Sequence, residues 1–403
     1  MARHARHPRR RTAALFVGMV ATSSVIGVAS SVGAQEPSKG TDDLVANGQA
    51  IGLNRKADRW QRGHRVPWPT STSASATPTP VSSPTSSPTT AAPTATPTPE
   101  VTSAPAPASS TFGPATGRPF ALTSAFNVPI GSNVQLDTNS SAMVGVLAGR
   151  GYATAQVYAD TPPVYDATEA TGRYALNCTM SWGACDLEAQ KIPIPDGAVA
   201  SSGSDGNMVV IDWSTRKSYE FWQYNNDVRT ASWGAVLPVD GSGTGNGSSD
   251  PGRYGAVGAG ISRLAGIIRT YEVRQGYVDH ALVGPTGFSC RSSYRYPAVK
   301  TDGWSTASGC IPEGARVQLD PGVNCDTLSG ITSWEKMVCK ALQKYGWYNI
   351  DNGGVGQPGF GIQFENPAGE SDPYRGIGLA DYSPIKHIPL TRLRVLKAWN
   401  TFS

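Results

Sequence analysis

Apolar and polar positions alternate in short runs through the second half of the chain, with the period of two that marks β-strands. Two such runs, 207–213 and 218–224, flank the polar turn Ser214, Thr215, Arg216, Lys217 and predict a hairpin. Further strands are expected at 153–158, 266–273, 277–283, 315–319, 360–365 and 387–395. The period changes once. Thr332, Ser333, Trp334 and Glu335 spell a capping box, Trp334, Val338, Leu342 and Tyr345 recur at helical spacing, and Gly346 can close the helix. Many short strands, Gly/Pro turns and one short amphipathic helix predict a mainly β domain, a β-sandwich or jelly roll. The Gly/Ser-rich stretch 241–260 reads as a long loop over one face.

The first part of the chain has a different texture. Residues 1–34 run from an Arg/His-rich start through an apolar core to Val32, Gly33 and Ala34, the order of a cleavable signal peptide. An uncleaved anchor is the alternative, since the uncharged stretch is long enough to span a bilayer, but its Gly, Ser and Thr content argues against a permanent span. Arg10 and Arg11 weakly resemble a twin-arginine signal. Residues 35–68 are polar and of mixed charge, with no expected fold. Residues 69–115 are almost entirely Pro, Thr, Ser and Ala, a disordered spacer with too little apolar surface to fold. The globular domain is then 116–403, long enough for one sizeable core.

This division changes the charge. The whole chain carries 34 Lys+Arg against 30 Asp+Glu, a net +4. Five of those arginines lie in the first eleven residues, and the part after Ala115 has 23 basic and 25 acidic groups, net −2. Nucleic acid is therefore not an expected partner. The protein is expected to be secreted and monomeric, off the membrane after cleavage.

Six cysteines, all in the domain, are an even number suited to an oxidising compartment. Six allow fifteen pairings; the neighbours Cys178 with Cys185, Cys290 with Cys310 and Cys325 with Cys339 each close a short loop and are preferred. No CxxC occurs and His is scarce, so no metal or cofactor is expected. Turns at Asp250 or at Asp351 and Asn352 suit structural Ca²⁺, but no EF-hand spacing is present and none is predicted. Ser308, Gly309 and Cys310 only faintly resemble the cysteine peptide of L,D-transpeptidases, whose preceding His-Gly and following Arg are missing. No Gly-x-Ser-x-Gly supports a serine hydrolase.

Three clusters have residue types fit for chemistry. Strand parity puts Glu220 with Trp222 and Tyr224, a carboxylate between aromatic planes suited to a sugar; the alternative is an edge-strand Glu beside core aromatics. In the second, Glu272 is followed by His280, which shares parity with Val278 and Leu282 and so faces inward, as a satisfied core histidine usually does, while Asp279 faces out. The third follows the helix: Trp347, Tyr348, Asn349, Asp351 and Asn352, more aromatic and polar than a turn requires. Gln363 and Glu365 are weaker candidates.

These clusters, with the openings Ser124 to Ile130 and Asp137 to Met143, resemble a family of secreted bacterial, actinobacterial-type β-sandwich proteins of unassigned function. The resemblance rests on Tyr219, Glu220, Phe221 and Trp222, on 269–273 with 276–282, and on 341–346 with 351–353. It covers most of 118–366 and implies a carbohydrate-active sandwich, in which the Cys290 to Cys339 stretch is a local elaboration. The expected function is a secreted enzyme acting on a polysaccharide or cell-wall glycan, a glycoside hydrolase using the carboxylates Glu220 and Asp351, with Glu272 in reserve and His280 tuning. Trp222, Tyr224, Trp347, Tyr348 and Asn352 would bind substrate. A β-elimination lyase would use His280 or Tyr219 as base. A lectin-like module without turnover and a structural surface protein are the other classes.

Overall fold

The computed structural model describes residues 118–245, 254–368 and 371–398. The segments read as signal peptide (1–34), polar lead (35–68) and spacer (69–115) lie outside the described residues, as does part of the 241–260 loop. Eleven strands form the three larger sheets of the described residues: β1 (Ala153–Gln156), β2 (Val164–Ala167), β3 (Met208–Asp212), β4 (Lys217–Trp222), β5 (Trp233–Pro238), β6 (Leu282–Thr286), β7 (Arg316–Leu319), β8 (Trp347–Asn352), β9 (Gly361–Gln363), β10 (Ser383–Ile385) and β11 (Leu393–Val395). Their orders are β2-β3-β4-β5, β6-β8-β7-β11 and β9-β1-β10.

The hairpin forms as expected. β3 and β4 pair antiparallel from Met208↔Phe221 to Asp212↔Lys217, and β5 extends the ladder from Lys217↔Pro238 to Trp222↔Trp233. The sheets are nevertheless mixed: β2 with β3, β6 with β8, and β1 with β9 are parallel pairs. That departs from the antiparallel jelly roll expected from alternation, because parallel pairs need long crossovers that a period-two pattern does not reveal.

Each four-stranded sheet is covered on both faces. Val209 and Ile211 of β3 share an apolar layer with Val283 of β6 and with Tyr348 and Ile350 of β8. The opposite face of the first sheet packs Val210, Tyr219 and Phe221 against Leu187 and Ile192. Beyond the second sheet, Val317 and Trp347 meet Trp334, Val338 and Leu342 of a helix. Burial on both sides explains why β3 reads as an unbroken apolar run.

Three helices occur among the described residues: α1 (Ser140–Ala148), α2 (Thr270–Gln275) and α3 (Ser333–Lys344). α3 is the helix expected, with the Thr332 hydroxyl accepting from the Glu335 N–H at 3.3 Å and the Glu335 carboxylate accepting from the Thr332 N–H at 3.1 Å. α2 corrects the strand expected at 266–273. Glu272 reaches back to the Arg269 N–H and Gly276 takes the left-handed conformation at the C-terminal end, so local caps override the alternation of Ile267, Tyr271 and Val273. Likewise 277–281 is not strand, and 387–395 is a 3₁₀ turn (Leu390–Arg392) before β11.

The disulfides are Cys178–Cys185, Cys290–Cys310 and Cys325–Cys339, as the spacing favoured. They suit an oxidising environment. No helix of the described residues is long and apolar enough to cross a membrane. The last disulfide ties buried Cys339 of α3 to the preceding loop. A Cys325→Ala/Cys339→Ala double variant is expected to lose about 3 kcal/mol through the freed unfolded chain, read as a lowered denaturation midpoint. An unchanged midpoint would show that α3 is held by packing alone.

Candidate carboxyl site

The residues that come together are mostly not the expected ones. β8 carries Asn349 and Asp351 on one parity, Asn349 buried and Asp351 half-buried at the strand's C-terminal end. Asn349 acts as a brace. Its amide donates to the Ser289 hydroxyl at 3.0 Å and to the Ile311 carbonyl at 3.1 Å, while its own carbonyl accepts from the Gly314 N–H at 2.7 Å. The short strand Ile311–Glu313 is thereby fixed beside β8, and the Cys290–Cys310 bridge clamps it to Ser289–Tyr294. Gly314 ends that strand with φ of 80°; a Cβ there would lie 1.7 Å from the Arg295 carbonyl oxygen, so only glycine fits.

Glu313 is 0% exposed. Burial drives its carboxyl well above the ordinary range, and the neighbouring carboxyls of Asp302 and Asp351 push the same way, with Lys300 opposing. Neither carboxyl oxygen of Glu313 has a hydrogen-bond partner. Asp302 sits in a half-buried segment anchored where the Thr301 hydroxyl donates to the Cys290 carbonyl at 3.1 Å.

Gly258 closes the site from above. A Cβ on it would lie 2.5 Å from Asp302 Oδ1 and 2.9 Å from Asp351 Oδ1, so those two oxygens are at most the sum, 5.4 Å, apart. The absent side chain leaves that space to the carboxylates. Lys300 Nζ donates to the Gly258 carbonyl at 2.7 Å, and the Ala259 N–H donates to the Ile350 carbonyl at 2.9 Å.

The loop bearing Gly258 is organised by Glu220. This carboxylate is 0% exposed and accepts from the Arg263 N–H at 2.8 Å, the Ala256 N–H at 3.2 Å and the Ser262 hydroxyl. Burial raises its pKa, and those same bonds hold it down. Glu220 is thus no sheet-face group between aromatic planes; its face is roofed by the 255–264 loop. Arg263, also buried, donates from Nη2 to the Ala256 carbonyl at 2.5 Å, and its Nε has no hydrogen-bond partner. Burial pulls its pKa down, against Asp205, Asp351, Glu220 and Asp160.

The aromatic candidates divide. Trp222 is half-buried, its Nε1 donating to Asp205 at 3.2 Å. Tyr224 does not share its face, because Gln223 has φ of 54°, which ends β4 and turns Tyr224 onto Phe221. Trp347 and Tyr348 are core: Trp347 Nε1 donates to the Gly361 carbonyl at 2.9 Å and the Tyr348 hydroxyl to the Ala125 carbonyl at 3.3 Å. Asn352 is buried beside Asp351, and Gln363 is buried in β9.

Glu272 and His280 form a separate buried pair. His280 Nε2 bonds Glu272 Oε2 at 2.8 Å and Nδ1 bonds the Ala281 carbonyl at 2.9 Å. The Ala281 carbonyl can only accept, so Nδ1 carries a proton and Nε2 faces the Glu272 carboxyl. Burial lowers the His280 pKa, but Glu272 outweighs it and the net direction is up. Next to the pair, Glu365 accepts from Arg269 Nε at 2.8 Å and from the Thr270 N–H at 2.9 Å. A small cavity beside His280 is lined by Phe120, Asn127, Leu264 and Tyr271. Asp279 faces out, with its side chain 44% exposed. Among the described residues no group of His, Cys, Asp and Glu is arranged to hold a metal ion.

Glu313, Asp302, Arg263 and Asp205 lie outside the three clusters in which the sequence suggested chemistry, and outside the expected strands. The usable signal was an acid wedged between Pro312 and Gly314, directly after a cysteine bridge. No protein-family profile, no curated protein and no solved structure matches the chain.

Glu220→Leu leaves two buried N–H groups and a hydroxyl without acceptors, and is expected to cost at least about 1–3 kcal/mol in denaturant titration. Wild-type stability in this variant would show that the loop is held otherwise. For His280 the folded pKa lies above the unfolded value of 6.5, so its stabilisation is full below pH 6.5 and lost as pH rises through the folded pKa. His280→Gln should therefore flatten the fall in stability above pH 6.5; parallel curves for both proteins would refute the charged pair.

Proposed function

We propose that this chain is an exported carbohydrate-active enzyme, a glycoside hydrolase, in which Asp302 and Asp351 are the two carboxyl groups that flank the scissile bond. The observation that carries the reading is the pair of Oδ1 atoms converging on the space over Gly258, at most 5.4 Å apart from the two distances of 2.5 and 2.9 Å. Glycoside cleavage needs one carboxyl to protonate the leaving oxygen and another to act on the anomeric carbon. Burial favours the neutral form of Glu313, and Asp302 beside it is the carboxyl we assign as nucleophile. Asp351, facing both other carboxyls, then supplies the proton. Glu313 and Glu220 are positioning residues, one beneath the pair and one behind the loop above it. The expected signal segment, the disulfides and the resemblance to secreted bacterial proteins support export.

The second reading, a glycan-binding module without turnover, is favoured by half-buried Trp222, whose indole bonds Asp205. One assay separates them: incubation with soluble and insoluble neutral polysaccharides, scored for new reducing ends. Folded Asp302→Asn and Asp351→Asn variants are expected to lose activity by about 10²–10⁴-fold. Full activity in either variant, or binding with no reducing ends from wild type, would overturn the hydrolase.

A further inference from the structure

Three tryptophans meet at the surface end of the first sheet. Trp222 ends β4 and pairs across the ladder with Trp233, the first residue of β5. Trp182 comes from elsewhere in the chain and lies over both: its ring is 5.6 Å from Trp222 at 23°, a stack, and 5.7 Å from Trp233 at 44°. All three are half-buried. Trp233 packs in part against the apolar cluster of the first sheet, and grouped half-buried aromatic surface of this kind marks recognition sites.

The set is held in place rather than loosely gathered. Trp182 lies inside the loop closed by Cys178–Cys185, so its position is restricted before any ligand arrives. Trp222 is fixed by its bond to Asp205 at 3.2 Å. Beside it the Gln223 amide is held from both ends, donating to the Ser204 carbonyl at 3.2 Å and accepting from the Ser232 hydroxyl at 2.7 Å. Asp205, Asp351 and Asp160 all favour the charged form of buried Arg263. Asp205, which bonds Trp222, thus acts on the same buried arginine as Asp351.

We infer that Trp182, Trp222 and Trp233 form a stacking subsite for a neutral pyranose unit of a polysaccharide chain whose next units run past Asp205 to the carboxyl site. This rests on the glycan reading above and narrows its substrate. Indole faces cover the apolar C–H face of a pyranose ring, leaving its hydroxyls for polar neighbours. The acidic groups Asp160, Asp205, Asp302 and Asp351 repel a uronate or sulfated sugar, so the ligand is uncharged.

The test uses the full chain as the Asp351→Asn variant, which removes turnover, in pull-down against insoluble xylan, mannan, cellulose and β-1,3-glucan, with pectate and alginate gels as anionic probes. Retention on at least one neutral polymer and none on the anionic gels is expected. Adding Trp182→Ala or Trp222→Ala should weaken retention about tenfold to thirtyfold, and Trp182→Phe should restore most of it, with melting temperatures unchanged. Retention on the anionic gels alone, on no polymer, or undiminished in both alanine variants would overturn the subsite. If an alanine variant melts early, quenching of tryptophan fluorescence by soluble oligosaccharide of the retained polymer decides in the Asp351→Asn background, and no quenching counts against the subsite. Failure of hydrolysis is distinguishable: a wild type that binds through the tryptophans but releases no reducing ends keeps this subsite and loses the enzyme.

Discussion

A carboxylate taken out of water must have its oxygens satisfied or it will take up a proton or unfold its surroundings. Glu220 meets that requirement with two backbone N–H groups and a hydroxyl from residues 256–263, and with the Ser218 hydroxyl of its own strand. The consequence is architectural. The loop has no regular secondary structure, yet its Gly258 must approach Asp302 and Asp351 more closely than any side chain would allow. A segment placed that tightly needs an anchor from the rigid sheet behind it. β4, hydrogen-bonded on both edges, supplies one. The acid that sequence alone makes a catalytic group thus does its work one layer back, setting the height of the roof over the carboxyls.

The second anchor comes from below. Asn349 joins β8, the strand of Glu313 and the start of the Cys290 strand through short bonds from its side chain and its carbonyl. Ser289, which receives one of them, itself donates to the Asp351 carbonyl at 3.1 Å. Asp351 and Glu313 come from positions far apart in the chain, and this buried amide makes them neighbours. Because floor and roof are fixed by different elements, the space between the carboxyls is set by rigid parts and needs no loop to close in order to exist.

Legibility followed range. The hairpin at β3 and β4, the capped helix α3 and all three disulfides are local features, and local chemistry specified them. The parallel pairings were invisible because nothing within a strand states its partner. α2 was misread although its signals were present: Glu272 three residues after Arg269, and Gly276 at the end. Alternation across 266–273 outweighed the caps. Tyr224 was assigned to the wrong face by one positive φ at Gln223, which parity arguments cannot anticipate. Asp351 lies in the carboxyl site, while Trp347 and Tyr348, its neighbours in sequence, are core. Aromatic residues in a strand covered on both faces carry no information about a ligand.

The stretch from Cys290 to Cys339, read from sequence as an elaboration, supplies two of the clustered carboxyls. Asp302 is inside the loop that the Cys290–Cys310 bridge closes, and Glu313 follows it by three residues. Cys178–Cys185 encloses Trp182 in the same manner. Covalent closure reduces the conformations open to a short irregular segment, which is where a protein with small sheets has least packing to hold a side chain. Two of the three bridges therefore sit where irregular chain must present an acid or a ring. In a reducing compartment, both would depend on hydrogen bonds alone, so the arrangement of the carboxyl site and the tryptophan face is tied to the oxidising environment for which the cysteines are suited.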